Sequence, residues 1–113
     1  MWFTFRQYFS FAKYMKPADY VVVEAESCED ANQKVLRHGV YFDGVAKGLD
    51  CDCCEDDRWS RVENSDGTDQ PLIDGKPIVE HKPGWLEGGR RITALIIPTE
   101  GKSKTIIVGT GGL

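Results

Sequence analysis

Residues 48–59 read GLDCDCCEDDRW and hold three of the four cysteines, with five carboxylates between Asp50 and Asp57. Cys51 and Cys54 stand at the C-x-x-C spacing of a zinc knuckle, where two thiolates can share one tetrahedral ion. Cys53, between them, cannot easily face the same ion in a regular turn. Structural zinc takes four ligands, usually from two such pairs, and there is no second pair here. Cys28, His38 and His81 are the other thiol and imidazole candidates, and His38 comes just before the stretch leading into the segment. A structural zinc held by Cys51, Cys54 and His38 is therefore one reading; reduced, partly buried cysteines that serve only the fold are the other. Redox chemistry fits less well, because Asp50, Asp52, Glu55, Asp56 and Asp57 disfavour the thiolate that reactivity needs. A calcium loop fails on residue type, with Cys54 and Glu55 where an oxygen ligand and glycine belong.

The second stretch with chemical potential is PGWLEGGRR, residues 83–91. Gly88 and Gly89 expose backbone N–H groups, Arg90 and Arg91 are adjacent cations, and Trp85 offers a stacking plane. Phosphate recognition uses backbone donors and arginine forks, and a base stacks on an aromatic face. Together these residues predict a site for a small nucleotide-like ligand. The plainer reading is a hairpin loop whose tryptophan tucks into the core and whose arginines are solvated. The terminal GTGGL is read as a loose tail over 109–113 rather than a phosphate cradle.

These residues need elements to hold them. WFTFRQY alternates as a strand with Trp2, Thr4 and Arg6 on one face and Phe3, Phe5 and Gln7 on the other. FSFAKYMKPAD reads as a hairpin connection broken at Pro17. DYVVVEAES is the strongest strand signal, because three successive valines suit a central strand buried on both faces. Ser27 with Asp30 three residues on resembles a capping box, and it opens a helix over about residues 28–38. Cys28, Ala31, Val35 and Leu36 fall on its apolar stripe, and Gly39 is its natural stop. VYFDGV then reads as a short strand, making 19–45 a β-α-β-like unit. RWSRV and KPIVEHK are candidate strands, the latter an edge strand opened by Pro77, and ENSDGTDQP is a surface loop. ITALIIP and KTIIVGT form a C-terminal hairpin turning at Glu100–Lys104. The expected fold class is α+β: a single domain over 1–113, with a mostly antiparallel sheet of five to seven strands and one main helix on one face.

The chain's 113 residues suit one core, and 41 % apolar with 28 % charged residues is ordinary for a folded domain. A formal charge of −4 gives no general attraction to nucleic acid or to anionic membranes. No apolar run approaches the roughly 20 residues that cross a bilayer, and the aromatic N-terminus lacks the small-residue site of a signal peptide. Walker loop, dinucleotide fingerprint and G-x-S-x-G elbow are absent from the sequence. Nothing fixes a triad around His81, and Glu29–Asp30 complement a helix dipole. The expectation is a protein without catalytic residues and without a cofactor beyond the possible structural zinc.

MWFTFRQ, YVVVEAES with the following DAN, and above all GVYFDGVAKGLDCDCCEDDRW resemble a family of small uncharacterised bacteriophage proteins over about residues 1–62. In that family a glycine commonly follows the cysteines, where this chain has Glu55, Asp56 and Asp57. The resemblance carries no activity and no functional residues. It implies a phage product in the host bacterial cytoplasm that redirects host machinery or blocks antiviral defence. Joined to the Trp85 loop, it suggests a non-enzymatic protein that sequesters a nucleotide immune signal. The pocket would form between subunits of a homo-oligomer, because a small domain has little internal volume. The alternative is an inhibitor or adaptor that binds a host defence protein directly, with a structural metal at the cysteine segment.

Overall fold

The computed structural model describes residues 1–7, 18–49, 59–81 and 90–111, with backbone alone at 90, 91, 110 and 111. Its centre is the valine strand. β1 (Trp2–Arg6), β2 (Tyr20–Glu24), β5 (Arg90–Ile97) and β6 (Lys104–Gly111) form one sheet in the order β1-β2-β5-β6, and β3 (Leu72–Ile73) pairs with β4 (Lys76–Pro77) as a separate ribbon. β1–β2 and β5–β6 are antiparallel, whereas β2–β5 is parallel, with Tyr20 opposite Ala94 and Val23 opposite Ile97. The fold is α+β with a mixed, mostly antiparallel sheet.

Val21, Val22 and Val23 are all fully buried because β2 is interior and both faces are covered. Side chains alternate along a strand. Val21 and Val23 therefore join Phe3, Phe5, Leu95 and Ile97 beneath the helix α1 (Cys28–Leu36), which contributes Ala31 and Val35. On the reverse face Val22, Ala94 and Ile106 are buried. The β3–β4 ribbon lies toward that face, where Thr4 Oγ1 donates to the Leu72 carbonyl.

α1 begins as the sequence predicts. Ser27 is extended, its Oγ accepts from Asp30 N–H at 3.1 Å, and Asp30 Oδ2 accepts from Glu26 N–H at 3.2 Å. The Glu26 bond, with help from Lys34, holds the Asp30 carboxyl below its ordinary pKa. The helix ends at Leu36 rather than 38. Gly39, at φ 93°, lets Val40 N–H reach back to the Val35 carbonyl in a Schellman-type end. Leu36, expected on the apolar stripe, is 43 % exposed.

Three strand expectations are corrected. VYFDGV forms no strand: Asp43 stands at φ 58°, and residues 44–49 close a single turn. Leu49 N–H bonds to the Gly44 carbonyl and Gly48 N–H to that of Val45, with Gly48 at φ 75°. The parallel partner of β2 is thus β5, far along the chain, and not a strand right after the helix. Among the described residues of RWSRV, only Trp59 pairs as a strand, with Gln7. The side chains of Asp43 and Asn32 engage Arg61 and Val62 instead. In KPIVEHK the strand is only Lys76–Pro77, folded back on β3 across Asp74 (φ 53°) and Gly75 (φ 77°), the signature of a two-residue type I′ turn. The C-terminal hairpin runs further than expected. β5 starts at Arg90 and β6 continues to Gly111, into the stretch read as a tail.

Candidate ligand-binding site

The β5–β6 register brings the two arginines that open β5 beside the glycine-rich end of β6. Arg90 pairs with Gly111, Arg91 with Thr110 and Ile92 with Gly109. The register then shifts, so that Thr93 faces Ile107 and Val108 is the extra residue of a bulge. Gly109 leaves open space: nothing lies within 4 Å of the position a Cβ would take. On the outer edge of β6, His81 N–H donates to the Ile107 carbonyl at 2.7 Å. His81 therefore lies on the outer side of β6, and Arg90, in β5, on its inner side. Trp85, Gly88 and Gly89 lie outside the described residues; of the residues that flank them, Arg90 is at the open end of the hairpin and His81 is beside Ile107 in the middle of β6.

Asp19 stiffens this end from the parallel strand beside it. It is 7 % exposed, and its Oδ2 accepts from Thr93 N–H at 2.9 Å and from Thr93 Oγ1 at 3.4 Å. Its carbonyl accepts from Gln7 N–H at 3.1 Å. The β2–β5 ladder begins at Tyr20 and Ala94, so the Thr93 amide lies just beyond it, and the carboxylate satisfies it. Nothing local in the sequence marks Asp19 for that part, because its partner is 74 residues away.

Tyr20, next in β2, has its pKa raised by burial, with the carboxylates of Asp74 and Asp19 adding to the rise and Arg6 opposing it. The Arg6 guanidinium lies 5.9 Å from the Tyr20 ring centroid.

The cysteine segment hangs from a second cluster. Arg61 donates to both carboxylate oxygens of Asp43, at 3.1 and 2.6 Å, and its guanidinium lies 5.1 Å from the Phe42 ring centroid. This two-pronged bond holds the Asp43 carboxyl below its ordinary pKa. Asn32 of α1 gives and takes one bond each with the Val62 backbone, at 2.9 and 3.0 Å, as a neighbouring strand would. These contacts fix the turn before residue 50 and the chain after residue 59. Cys51 and Cys54 lie outside the described residues. His38 is half-buried just past the end of α1, and Cys28 is its first residue. Ten residues at 1.5 Å rise put those two about 15 Å apart along the axis, too far to bind one ion. Among the described residues, no three His, Cys, Asp or Glu side chains cluster closely enough to hold a metal. Also among them, no helix is long and apolar enough to cross a membrane.

Fold and site together define a small α+β domain built on a mixed sheet, with Arg90 and Arg91 opposite Gly111 and Thr110 at the open end of its hairpin. The chain belongs to a family described as a domain of unknown function (DUF7296), whose model matches residues 1–112. No curated protein and no solved structure matches it.

Proposed function

We propose that this domain is a non-enzymatic binding protein that takes a small, anionic, nucleotide-like ligand at the Arg90 end of the β5–β6 hairpin. The supporting observation is the register that sets Arg90 and Arg91 opposite Gly111 and Thr110, beside a bulge and a glycine without side-chain neighbours. Backbone donors and guanidinium groups are the chemistry of phosphate recognition, and Trp85, four residues before Gly89, supplies a stacking surface for a base. A rigid sheet with the binding residues on the segment leaving it is the usual way such sites are built. In the setting that the sequence resemblance implies, a phage product in bacterial cytoplasm would sequester a nucleotide immune signal, with the pocket completed by a second subunit. Calorimetry with cyclic mono- and dinucleotides and cyclic ADP-ribose derivatives tests this. The expected result is saturable heat with at least one of them, lost in an Arg90→Ala, Arg91→Ala double variant whose circular dichroism is unchanged. No heat with any compound overturns the proposal.

A further inference from the structure

A cleft at the opposite edge of the sheet points to a second kind of binding, independent of the Arg90 end. β1 is the outer strand there. Trp2 turns its N–H and C=O away from β2 and bonds with Thr68, at 2.8 and 3.0 Å. Thr4, two residues on, has the same orientation, and its main-chain N–H and C=O have no partner among the described residues. The reason is a mismatch of lengths. Thr68 pairs with Trp2 and Trp59 with Gln7, so nine steps of chain run alongside five steps of β1. The excess bows outward and leaves a cavity of about 230 Å³ between the strand edge and the loop. Phe3, Thr4, Val62 and Leu72 line it, together with the exposed Ser65 and Asp74.

Main-chain groups left open on an outer strand beside an apolar hollow are the arrangement that accepts an added strand, with main-chain bonds giving affinity and a side-chain pocket giving selectivity. Charge decides the occupant. Residues 63–74 carry Glu63, Asp66, Asp69 and Asp74, all exposed, and no lysine or arginine. The one cation of β1, Arg6, is drawn over Tyr20. We infer that this cleft binds a short extended segment of another protein, pairing its main chain with Thr4. One apolar side chain enters the hollow and flanking basic side chains meet the acidic rim. Steering by the rim acts mainly on the rate of encounter and on the choice of partner.

The test uses the full chain and the blocked peptide acetyl-Lys-Ile-Lys-Val-Lys-amide, followed by amide NMR. The expected outcome is saturable shifts confined to Phe3–Arg6 and to Gly67–Asp74. Methylating the amide nitrogen that pairs with Thr4 should weaken binding roughly tenfold, through one lost main-chain bond. An Asp66→Asn, Asp74→Asn double variant, which keeps a residue tolerant of positive φ at 74, should weaken it about threefold to tenfold. The glutamate counterpart of the peptide should not bind. Absence of localised shifts at millimolar peptide overturns the inference, as does equal binding of the N-methylated or acidic peptide. Concentration-dependent self-association that broadens the Thr4 region would assign the edge to a second copy of this chain instead, and overturns it equally.

Discussion

Gly67 gives the most direct test of how the loop is clamped to the edge of β1. It stands at φ 76°, and a Cβ added there would lie 2.8 Å from Met1 Cβ and 2.9 Å from Phe3 Cζ. Gly67→Ala therefore meets two separate penalties. The left-handed backbone costs an L-residue about 1 kcal/mol, and forcing a methyl against Phe3, which is 2 % exposed, adds about 1–3 kcal/mol of overpacking. Gly75→Ala supplies the control, because φ is 77° there and nothing lies within 4 Å of its Cβ. It should cost only the backbone penalty, about 1 kcal/mol. An unfolding entropy of about 2.1 cal/mol/K per residue gives roughly 0.24 kcal/mol/K for a chain of this length. The expected fall in Tm is then about 4 °C for Gly75→Ala and about 8–17 °C for Gly67→Ala, read by thermal denaturation at matched pH and concentration. Equal shifts for the two variants would refute the steric argument and the packing of Gly67 on Phe3 with it.

Two further outcomes follow from the contacts that frame the cysteine segment. Asn32→Ala removes both bonds to the Val62 backbone, which should cost about 1–2 kcal/mol and speed hydrogen exchange of the Val62 amide; unchanged exchange would show that the pair does not order the chain there. Asp43, whose pKa is lowered by its bond with Arg61, contributes stability that is present above its ordinary value of 3.8 and disappears as pH falls through its lower folded value. Its carboxyl should titrate below 3.8 by NMR, and Arg61→Gln should move the midpoint up toward 3.8. A midpoint at or above 3.8 in the unaltered protein would contradict the ion pair.

Much of the scaffold was legible because its signals are local. Three valines in a row required burial on both sides, Ser27 and Gly39 bounded a helix, and two β-branched runs flanking TEGKSK made a hairpin. The β3–β4 ribbon was missed although Asp74–Gly75 is a two-residue turn signal, because its strands are only two residues each and carry no periodicity. VYFDGV misled for a clear reason. Its aromatic and β-branched residues favour a strand, yet Asp43 adopts a left-handed conformation that its two bonds with Arg61, 18 residues away, help to fix.

The candidate site divides in the same way. Composition alone selected Trp85, Gly88, Gly89, Arg90 and Arg91 as phosphate- and base-recognising residue types, and it marked Cys51, Cys54 and His38 as possible ligands. That Arg90 and Arg91 lie beside Gly109–Gly111, that Asp19 bonds Thr93 near that end, and that the Thr4 main chain has no partner among the described residues came only from the tertiary structure. Local sequence determined which segments are strands, helix and turns, because caps, glycines and side-chain alternation act within a few residues. Which strands became neighbours, and in what register, was decided by burying Val21, Val22 and Val23 from both sides. That requirement is met only when residues more than 60 positions apart pack together.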